Sequence, residues 1–577
     1  MRIFNGIAAS EGLAKGKALL HIHSQLVAEK HHISQEALPS ELEAFEIAVR
    51  KAKENLEQHR GPDVASLPSE ILETHMMMLS DPEYLSQIES EISSKLVCAQ
   101  WAVDTVTNSM VSLLEASEDA ILRDRVIDFK DVGLHLVKAL SGNHGQDIST
   151  LEEDVILVAD NIMPSELFAM DKTHVLGIAL DGGGRASHVA ILVRAFGIPA
   201  VLALGNAAAK VNDGDEVIVD GNYGEFYVRP ELIAAQNLNE RFALWQQHEA
   251  ELLQMVDLPT EMNDGHKLSL KANIQTDGEV ENAIRYGAGG IGLFRSEFLF
   301  MDSNDSASEE QQFNAYRKVV ESMSPKPVTI RTIDIGGDKI VKGMGIDEKN
   351  PILGWRAVRF CLSRKDIFTI QLRALLRSSM YGKLQIMFPM ISGGEELDAV
   401  LHLFEHVKEE CRTEHIPFDP DIKVGTMIEV PSAAMCADIL AKKVDFFSIG
   451  TNDLIQYTIA VDRGNEKIAY LYQPMHPGVL RSIKMIIDKA HKENIPVSLC
   501  GEMAADPLYS VLLAGLGLDE FSMGPQSILQ VRKILRNVSY KEAQELAETV
   551  MQMDSYLTIT TYIREWMHDR FDHFTTI

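Results

Sequence analysis

The sequence predicts a multidomain α/β protein: a small α/β domain with an inserted helical bundle, a linker helix, and a C-terminal (β/α)₈ barrel of the TIM type. Three observations lead to this prediction. The 577 residues correspond to about three or four domains at roughly 150 residues each. A glycine-poor stretch with helical spacing interrupts short strand-like runs near the start. Beyond residue 260, apolar runs alternate with helical stretches, as parallel βα units do.

The first part of the chain supplies the small domain and the bundle. The run GKALLHI predicts a strand, and the residues from about 36 to about 140 have the spacing and the Glu, Ala, Leu and Met content of helices. Strand patterns return as DVILVA, VLGIAL, AVLAL and DEVIVD. We therefore assign residues 1–24 and 145–230 to an α/β domain. Residues 25–144 form the inserted bundle, because the ends of inserted units often lie close together.

A polar helical pattern leads into the barrel. It covers residues 231–259, and Pro259 ends it, which predicts a linker helix. Residues 260–577 then form the barrel, with eight predicted strands: LSLKANI, GIGLFR, VTIRTID, LQIMFPM, KVGTMIE, FFSIGTND, VSLCGE and EFSMG. Polar side chains stand at or near the ends of these runs: Asn273, Arg295, Arg331, Glu429, Asn452, Asp453 and Cys500. Barrel strands end on one face, so we expect a site there.

Charge and composition exclude several classes of protein. The chain has 54 basic and 84 acidic side chains and a net charge of −30. Duplex nucleic acid and anionic membranes need clustered Lys and Arg, so neither is an expected partner. A small phosphorylated ligand needs only a few arginines inside a pocket, and a basic protein partner would suit the negative field.

Cysteine content and hydropathy predict a soluble cytoplasmic protein. Five scattered cysteines are too few for a secreted disulfide framework. The N-terminus contains Glu11 and has no sustained apolar core, so it does not resemble a secretory signal. Residues 188–204 form the most apolar stretch, but Arg194 and Pro199 interrupt it, and we expect no membrane insertion.

A histidine follows a glycine-rich turn in the sequence DGGGRASH, at residues 181–188. His188 would begin an apolar helix, where backbone N–H groups favour an anion. Imidazole can act as a nucleophile toward a phosphoryl group. Glycine loops before helices are common, however, and on this pattern alone a purely structural histidine has about equal weight.

The wider motifs resemble the family of phosphoenolpyruvate-utilising enzymes. GGRASH with GIPAV is similar to the family's phosphohistidine domain. The barrel motifs GIGLFRSEFLFM, TIRTIDIGGDK, NPILGWRAVR, VGTMIEVPSA, FFSIGTNDLIQYTIAVDR and SLCGEMAAD are similar to its phosphoenolpyruvate-binding barrel. Their order and the chain length resemble enzyme I of the sugar phosphotransferase system. The family's dikinases and synthases need an additional ATP-binding module, which this chain lacks, so we disfavour a direct small-molecule kinase.

The resemblance implies an activity and a set of residues. His188 is phosphorylated by phosphoenolpyruvate, the domain that carries it swivels, and the phosphoryl group passes to a histidine of the carrier protein HPr, as the first step of sugar uptake. Cys500 protonates the enolate to give pyruvate. Mg²⁺ binds Glu429 and Asp453, and the barrel forms the homodimer. The implied substrate-binding residues are Arg295, Arg331, Asn452, Asp453 and Arg463, with Lys339, Trp355 and Arg356 near the site.

The chemistry of the residues agrees with those roles. Phosphoenolpyruvate carries a phosphate and a carboxylate, which planar, permanently charged guanidinium groups bind well. Carboxylate oxygens suit Mg²⁺, which keeps waters and substrate oxygens as further ligands. A carbon acid also needs a positioned proton donor, and a cysteine at a strand end could supply it, although isolated cysteines are usually buried hydrophobes.

The implied HPr-docking segment is PSEILETHMMMLSDPEYL in the bundle. Its methionines would offer adaptable apolar contacts, and its acidic residues would attract a basic carrier. The docking residues are Glu70, Glu73, Met76, Met77, Met78, Asp81 and Glu83. Equally, methionines at helical spacing are often core residues, and acidic residues often form only a solvated surface.

Two positions beside the histidine depart from the family pattern. Ala186 and Leu167 stand where the family usually has threonine, so hydroxyls that would orient the imidazole are absent. This departure motivates an alternative hypothesis, a regulatory paralogue that senses phosphoenolpyruvate with weak or lost phosphotransfer.

Overall fold

The computed structural model describes residues 2–10, 12–21, 28–58, 75–115, 126–141, 148, 151, 153–184, 188–230, 247, 250–301, 307–336, 350–463, 465 and 467–571. The chain divides into two units, Met1–Gln247 and His248–Thr576. Within the described ranges, no helix is both long and apolar enough to cross a membrane.

The first unit is built on an eight-stranded mixed sheet. Its strands are β1 (Arg2–Asn5), β2 (Ile7–Ser10), β3 (Leu13–His21), β4 (Val155–Ala159), β5 (Val175–Leu180), β6 (Ala200–Leu202), β7 (Glu216–Asp220) and β8 (Glu225–Val228). Their order is β1-β8-β7-β3-β4-β5-β6-β2. Strands β3 to β6 pair in parallel, and the other pairs are antiparallel. The strands predicted from sequence all lie in this sheet, which adds β1, β2 and β8.

Apolar side chains cover both faces of this sheet. In β4, Leu157 packs into one buried cluster, whereas Ile156 and Val158 pack into a second. Successive residues of a strand point to opposite faces, so a continuous apolar run such as VILVA fits a strand buried on both sides. One of these clusters includes residues of the helix His188–Phe196, which covers that face of the sheet.

The helical bundle lies between β3 and β4 in the chain. Its helices of ten or more residues in the described ranges are Leu38–Gln58, Pro82–Lys95, Ala99–Glu115 and Val126–Ser141. Their buried stripes form a separate core that contains Phe45, Ile88, Val103 and Leu136. The predicted insertion is therefore helical, whereas its assigned boundaries, like the other domain boundaries, stay a prediction. Residues 231–246 of the predicted linker helix lie outside the described ranges, and residues 250–253 are helical.

The second unit contains a closed barrel of eight parallel strands, as the sequence predicts. They are β9 (Ser269–Ile274), β10 (Ile291–Arg295), β11 (Val328–Arg331), β12 (Leu384–Phe388), β13 (Lys423–Ile428), β14 (Phe446–Ile449), β15 (Val497–Leu499) and β16 (Glu520–Met523). Each strand pairs in parallel with its neighbours in sequence, and β16 pairs with β9 to close the ring.

Helices surround the barrel strands. The helices of eight or more residues in this unit are Glu309–Met323, Lys365–Ser378, Gly394–Thr413, Thr451–Ile459, Pro477–Lys492, Pro507–Gly515, Ser527–Arg536, Tyr540–Met551 and Tyr556–Arg570. One large apolar core joins them to the strands and includes Phe368, Phe388 and Phe404. The strands are buried on both sides, which explains their nearly continuous apolar sequences.

Candidate active site

The carboxyl ends of the barrel strands bring together the polar residues singled out from the sequence. Arg295 and Arg331 are the last residues of β10 and β11, and they are register partners in the parallel pair. Glu429 directly follows β13, and Cys500 directly follows β15. Because the strands are parallel and the barrel is closed, these side chains share one rim.

Arg331 is buried and held by carboxylates. Its guanidinium donates to Glu297, and one nitrogen lies 3.4 Å from an oxygen of Asp334. Burial disfavours its charged form, but Glu297, Asp334 and Glu429 outweigh this effect and raise its pKa. Among the described residues, the buried Arg331 Nε atom has no hydrogen-bond partner, so one donor remains for a ligand.

Arg295 lies beside Arg331 and is held differently. Within the described part of the chain, it has no hydrogen bond and no carboxylate within ion-pair distance. Burial lowers its pKa, and the positive charge of Arg331 lowers it further, whereas the charge of Glu297 acts in the opposite direction. A half-buried guanidinium that lies beside a second guanidinium is stabilised by a bound anion. Arg295 therefore marks a place where an anionic ligand would be favoured.

Arg356 connects two acidic residues of the rim. Its guanidinium makes a forked pair with Asp334, at 3.2 and 3.0 Å, and lies 3.6 Å from Asp453 Oδ1. Burial opposes the charge, but Asp334 and Asp453 raise its pKa. A forked pair of this kind fixes orientation as well as charge, so Arg356 positions Asp453.

Glu429 has a buried carboxylate, and one of its two oxygens already accepts a hydrogen bond. Its Oε1 accepts the Met390 backbone N–H at 2.7 Å, and its residue is 1% exposed. Burial, followed by the negative charges of Asp453 and Asp334, raises its pKa. A Cβ placed on Gly450 would lie 2.6 Å from Glu429 Oε2, so glycine is needed where the chain passes this carboxylate. Two mutually repelling carboxylates in a buried site favour a bound cation.

The donor set fits Mg²⁺. Glu429 and Asp453 offer hard oxygen ligands, and two protein carboxylates leave coordination positions for water and substrate oxygens. Asp453 lies in the first turn of the helix Thr451–Ile459, directly after β14. The remaining rim carboxylates, Glu297 and Asp334, hold the arginines instead.

Asn452 is oriented by Glu502, the first residue of the helix Glu502–Ala505 that follows β15. Its Nδ2 donates to Glu502 Oε1 at 3.2 Å, and its Oδ1 accepts the Glu502 backbone N–H at 3.1 Å. The Tyr472 hydroxyl donates to the Asn452 carbonyl at 3.1 Å. The side chain is half-buried, so its position is fixed while it keeps access to the rim.

The Cys500 thiol lies over an apolar cluster formed by Leu293, Met387, Met427 and Phe446. The thiol lies 3.6 Å from the Ile449 carbonyl. Burial raises its pKa, although the charge of Arg331 partly opposes the increase. Asn273 fixes the loop by donating to the Cys500 carbonyl at 3.1 Å. At neutral pH the residue is therefore a protonated thiol that can donate a proton.

Three further residues that the sequence placed near the site differ in their environment. Arg463 is exposed, and its backbone N–H donates to Gln456. Trp355 is half-buried, and its Nε1 donates to Ser363 Oγ at 2.7 Å, so its indole N–H is already used. Lys339 lies outside the described residues.

In the first unit, His188 is the first residue of the helix His188–Phe196. It follows β5 through the glycine-rich turn, as the sequence predicts. Leu167 is fully buried in the apolar cluster of this unit, so its side chain serves the core. Ala186 lies outside the described residues.

The predicted docking residues fall into three groups. Met76 and Met78 pack against the bundle core, whereas Met77 is exposed. Asp81 caps the helix Pro82–Lys95 by accepting two backbone N–H groups, one of them from exposed Glu83. Glu70 and Glu73 lie outside the described residues. Met77, Asp81 and Glu83 therefore remain as surface candidates.

Sequence reasoning missed Glu297 and Asp334, which hold the guanidinium groups. Both follow a terminal arginine of a strand by two or three residues, at Arg295 and Arg331. This spacing was a signal that could have identified them. Their partners could not be identified, because Glu297 bonds to the arginine of the neighbouring strand.

The chain resembles known proteins over nearly its full length. Three family models match: "PEP-utilising enzyme, N-terminal" over residues 5–125, "PEP-utilising enzyme, mobile domain" over residues 151–224, and "PEP-utilising enzyme, PEP-binding domain" over residues 249–540. The second match contains His188, and the third contains the barrel rim.

Three similar relatives bear the name phosphoenolpyruvate-protein phosphotransferase. The relative from Haemophilus influenzae is 42% identical over 569 residues, which cover 98% of this chain and 99% of the relative. One from Bacillus sp. (strain S) is 41% identical over 98% of each chain. One from Bacillus subtilis (strain 168) is 39% identical over 98% of this chain and 100% of its own. This chain is therefore a transferase that belongs to the phosphoenolpyruvate-protein phosphotransferase family of the PEP-utilising enzymes.

Proposed function

We propose that the protein takes the phosphoryl group of phosphoenolpyruvate onto His188 and passes it to a histidine of the carrier protein HPr, as the first step of sugar uptake. The observation that supports this function best is the barrel rim. It combines an arginine that has no ion pair with a carboxylate in the described ranges, two carboxylates that fit a divalent cation, and a buried protonated thiol.

The arginines bind the substrate. Arg295 and Arg331 end adjacent strands at the same level, so their guanidinium groups can contact the phosphate and carboxylate of one small dianion or trianion. Exposed Arg463 adds positive charge at the edge, and Asn452 donates to a substrate oxygen. Glu297 and Asp334 hold Arg331 in place before the substrate binds, so little reorganisation is needed.

Glu429 and Asp453 would hold Mg²⁺. The ion would neutralise phosphoryl charge and polarise substrate oxygens. Gly450 leaves room for the Glu429 carboxylate, and Arg356 keeps Asp453 directed toward the same space.

The chain's own residues account for the bonds made and broken. The His188 imidazole nitrogen attacks phosphorus, and the bond from phosphorus to the enol oxygen breaks with its electron pair going to that oxygen. The resulting enolate takes a proton at carbon from the Cys500 thiol and becomes pyruvate. Solvent then returns a proton to the thiolate.

Further parts of the proposal concern partners and location. The exposed residues Met77, Asp81 and Glu83 supply an apolar and acidic surface for a basic carrier, which the net charge of −30 also favours. The domain that carries His188 moves between the barrel and the carrier. The protein acts in the cytoplasm as a homodimer formed through the barrel.

The test is phosphorylation from phosphoenolpyruvate labelled in its phosphate, with Mg²⁺, with and without HPr. Wild-type protein should acquire label and pass it to HPr, and His188→Ala should acquire none. The control His406→Gln alters an exposed histidine on a barrel helix and should be labelled like wild type. Binding of phosphoenolpyruvate to wild-type protein without labelling would refute phosphotransfer and would favour a phosphoenolpyruvate-sensing protein.

A further inference from the structure

A cluster of metal-ligating side chains lies in the first unit, outside the barrel site. His75, Asp131 and His135 each place one donor atom within 4.8 Å of the other two. Among the residues that the structure describes, it is the one group of three such side chains that meets this distance. Two imidazoles and a carboxylate form a ligand set that proteins use for Zn²⁺.

His75 is a buried polar residue without hydrogen bonds. Its side chain is fully buried, and neither ring nitrogen has a hydrogen-bond partner among the residues that the structure describes. The nearest carboxylate oxygens, on Asp128 and Asp131, lie 3.6 and 3.9 Å from Nε2, beyond hydrogen-bond distance. Burying a polar group without a hydrogen bond is unfavourable. A ligand that bonds to the ring would remove this cost.

The other two ligands are held in position by the local structure. Asp131 and His135 are four residues apart on the helix Val126–Ser141, so they share one face of it. The Ser165 hydroxyl donates to Asp131 Oδ1 at 2.7 Å, and the Ser165 backbone N–H donates to Asp131 Oδ2 at 3.2 Å. Hydrogen bonds of this kind orient a carboxylate that ligates a metal.

The spacing of the donor atoms suits a small ion. His135 Nε2 lies 3.5 Å from Asp131 Oδ1, and His75 Nε2 lies 3.9 Å from Asp131 Oδ2. Ligands at about 2.0–2.1 Å from a tetrahedral Zn²⁺ are about 3.3–3.4 Å from one another. These two spacings, to different oxygens of Asp131, exceed the tetrahedral spacing by about 0.1–0.6 Å. The three donor atoms lie within 4.8 Å of one another, so the imidazoles must rotate toward the carboxylate when the ion binds.

We propose that His75, Asp131 and His135 bind a divalent transition-metal ion of the Zn²⁺ class, with water or Asp128 as the fourth ligand. The ion would join the bundle to the α/β fold, because Ser165, in the helix Pro164–Ala169, already donates to Asp131. Ser165 Oγ also lies 3.0 Å from His135 Nε2, and the ion would replace this contact. Its role is structural, and it is separate from the Mg²⁺ that we assign to the barrel.

The test uses the full-length protein after removal of metal with a chelator. With excess Mg²⁺ present to occupy the barrel carboxylates, Co²⁺ and then Zn²⁺ are titrated while visible absorption and bound metal are measured. Wild-type protein should bind one Co²⁺ with the visible absorption of a tetrahedral site, and Zn²⁺ should displace it. Zn²⁺ should also raise the unfolding temperature of the first unit.

His135→Gln should lower the affinity for Zn²⁺ at least about tenfold and remove the absorption band. His174→Gln is the matched control, because His174 pairs with Asp171 in the same unit but lies outside the cluster, and it should behave like wild type. Asp131→Asn provides a second test if His135→Gln does not fold. Unchanged stoichiometry and spectrum in the folded variant would overturn the proposal.

Discussion

Arg295 and Arg331 end adjacent strands, but their guanidinium groups have different surroundings. Arg331 is held by Glu297 and Asp334, whereas Arg295 has no carboxylate partner in the described part of the chain. A guanidinium that is already paired is fixed in place, and one that is unpaired is available to an anion. In the proposed reaction, Arg331 is therefore held in place before the substrate binds, whereas Arg295 gains a charge partner when the substrate binds.

Cys500→Ser should reduce pyruvate formation about 100-fold or more, because a serine hydroxyl is a much weaker acid than a thiol and general acid catalysis contributes about 10²–10⁴-fold. The measurement is the steady-state rate of pyruvate release with saturating phosphoenolpyruvate. Cys436→Ser makes the same chemical change at the residue between the helices Pro431–Met435 and Ala437–Leu440 and should leave the rate unchanged. A rate for Cys500→Ser close to wild type would exclude this thiol as the proton donor.

Gly450→Ala should weaken the response to Mg²⁺. The added methyl would lie 2.6 Å from Glu429 Oε2 and 2.9 Å from Met427 Sδ, so the carboxylate must move. We expect the Mg²⁺ concentration for half-maximal activity to rise at least about tenfold, in the range found for groups that orient metal ligands. Gly394→Ala, whose nearest neighbours would lie 3.6 Å away, should leave this concentration unaltered. Equal Mg²⁺ dependence in both variants would contradict the role assigned to Glu429.

At the scale of elements, polar side chains join helix ends to strand ends. His491 lies in the last turn of the helix Pro477–Lys492 and contacts Asp519 Oδ2 at 2.8 Å. The same oxygen accepts the Val497 backbone N–H at the start of β15. One carboxylate thus connects the end of a helix with the beginning of the next strand, and a cation at a helix C-terminus is also favoured by the helix dipole.

His491→Gln should lower stability in a pH-dependent way. The hydrogen bond to Asp519 raises the pKa of His491. The stabilisation is therefore fully present below the ordinary histidine pKa of about 6.5 and is lost as the pH rises through the raised value. The pair is partly exposed, so we expect a loss of about 0.2–1 kcal/mol at about pH 6 and a smaller loss at about pH 9.

Urea unfolding at the two pH values measures this loss. His406→Gln removes an exposed histidine whose contact with Glu410 is 3.4 Å, and it serves as the control. A pH-independent loss for His491→Gln would show that packing, and not the ion pair, is responsible.

At the scale of the whole molecule, the chain consists of two units with separate cores. The residues proposed to bind phosphoenolpyruvate and Mg²⁺ all belong to the second unit, whereas His188 belongs to the first. A ligand that binds only the folded form of one unit stabilises that unit. Ligand binding by the barrel and phosphorylation of His188 can therefore be measured separately.

Calorimetry of full-length His188→Ala should show this separation, because the variant cannot consume phosphoenolpyruvate. Mg²⁺ is present, and phosphoenolpyruvate is added at about 100 times its dissociation constant. The free energy of unfolding of the barrel should then rise by about 2.7 kcal/mol, and the unfolding temperature of the first unit should not change. Adding Arg295→Met should abolish the shift without loss of stability, since Arg295 has no carboxylate partner among the described residues. Equal shifts of both transitions would contradict binding by the barrel alone.

The sequence by itself determined the elements and much of the rim. Hydrophobic periodicity and apolar run length are local properties, so they identified all eight barrel strands and the helical insertion. Strand-end position is also local, so it identified Arg295, Arg331, Glu429 and Cys500 as neighbours once a closed parallel barrel was predicted.

Only the tertiary structure decided which side chains meet. Glu297 bonds to Arg331 on the adjacent strand, and Arg356 reaches both Asp334 and Asp453. His75 meets Asp131 only after the bundle helices pack. Such contacts depend on distances between segments far apart in the chain. Local periodicity contains no information about them, because burial and charge pairing arise only when the packed elements exclude water.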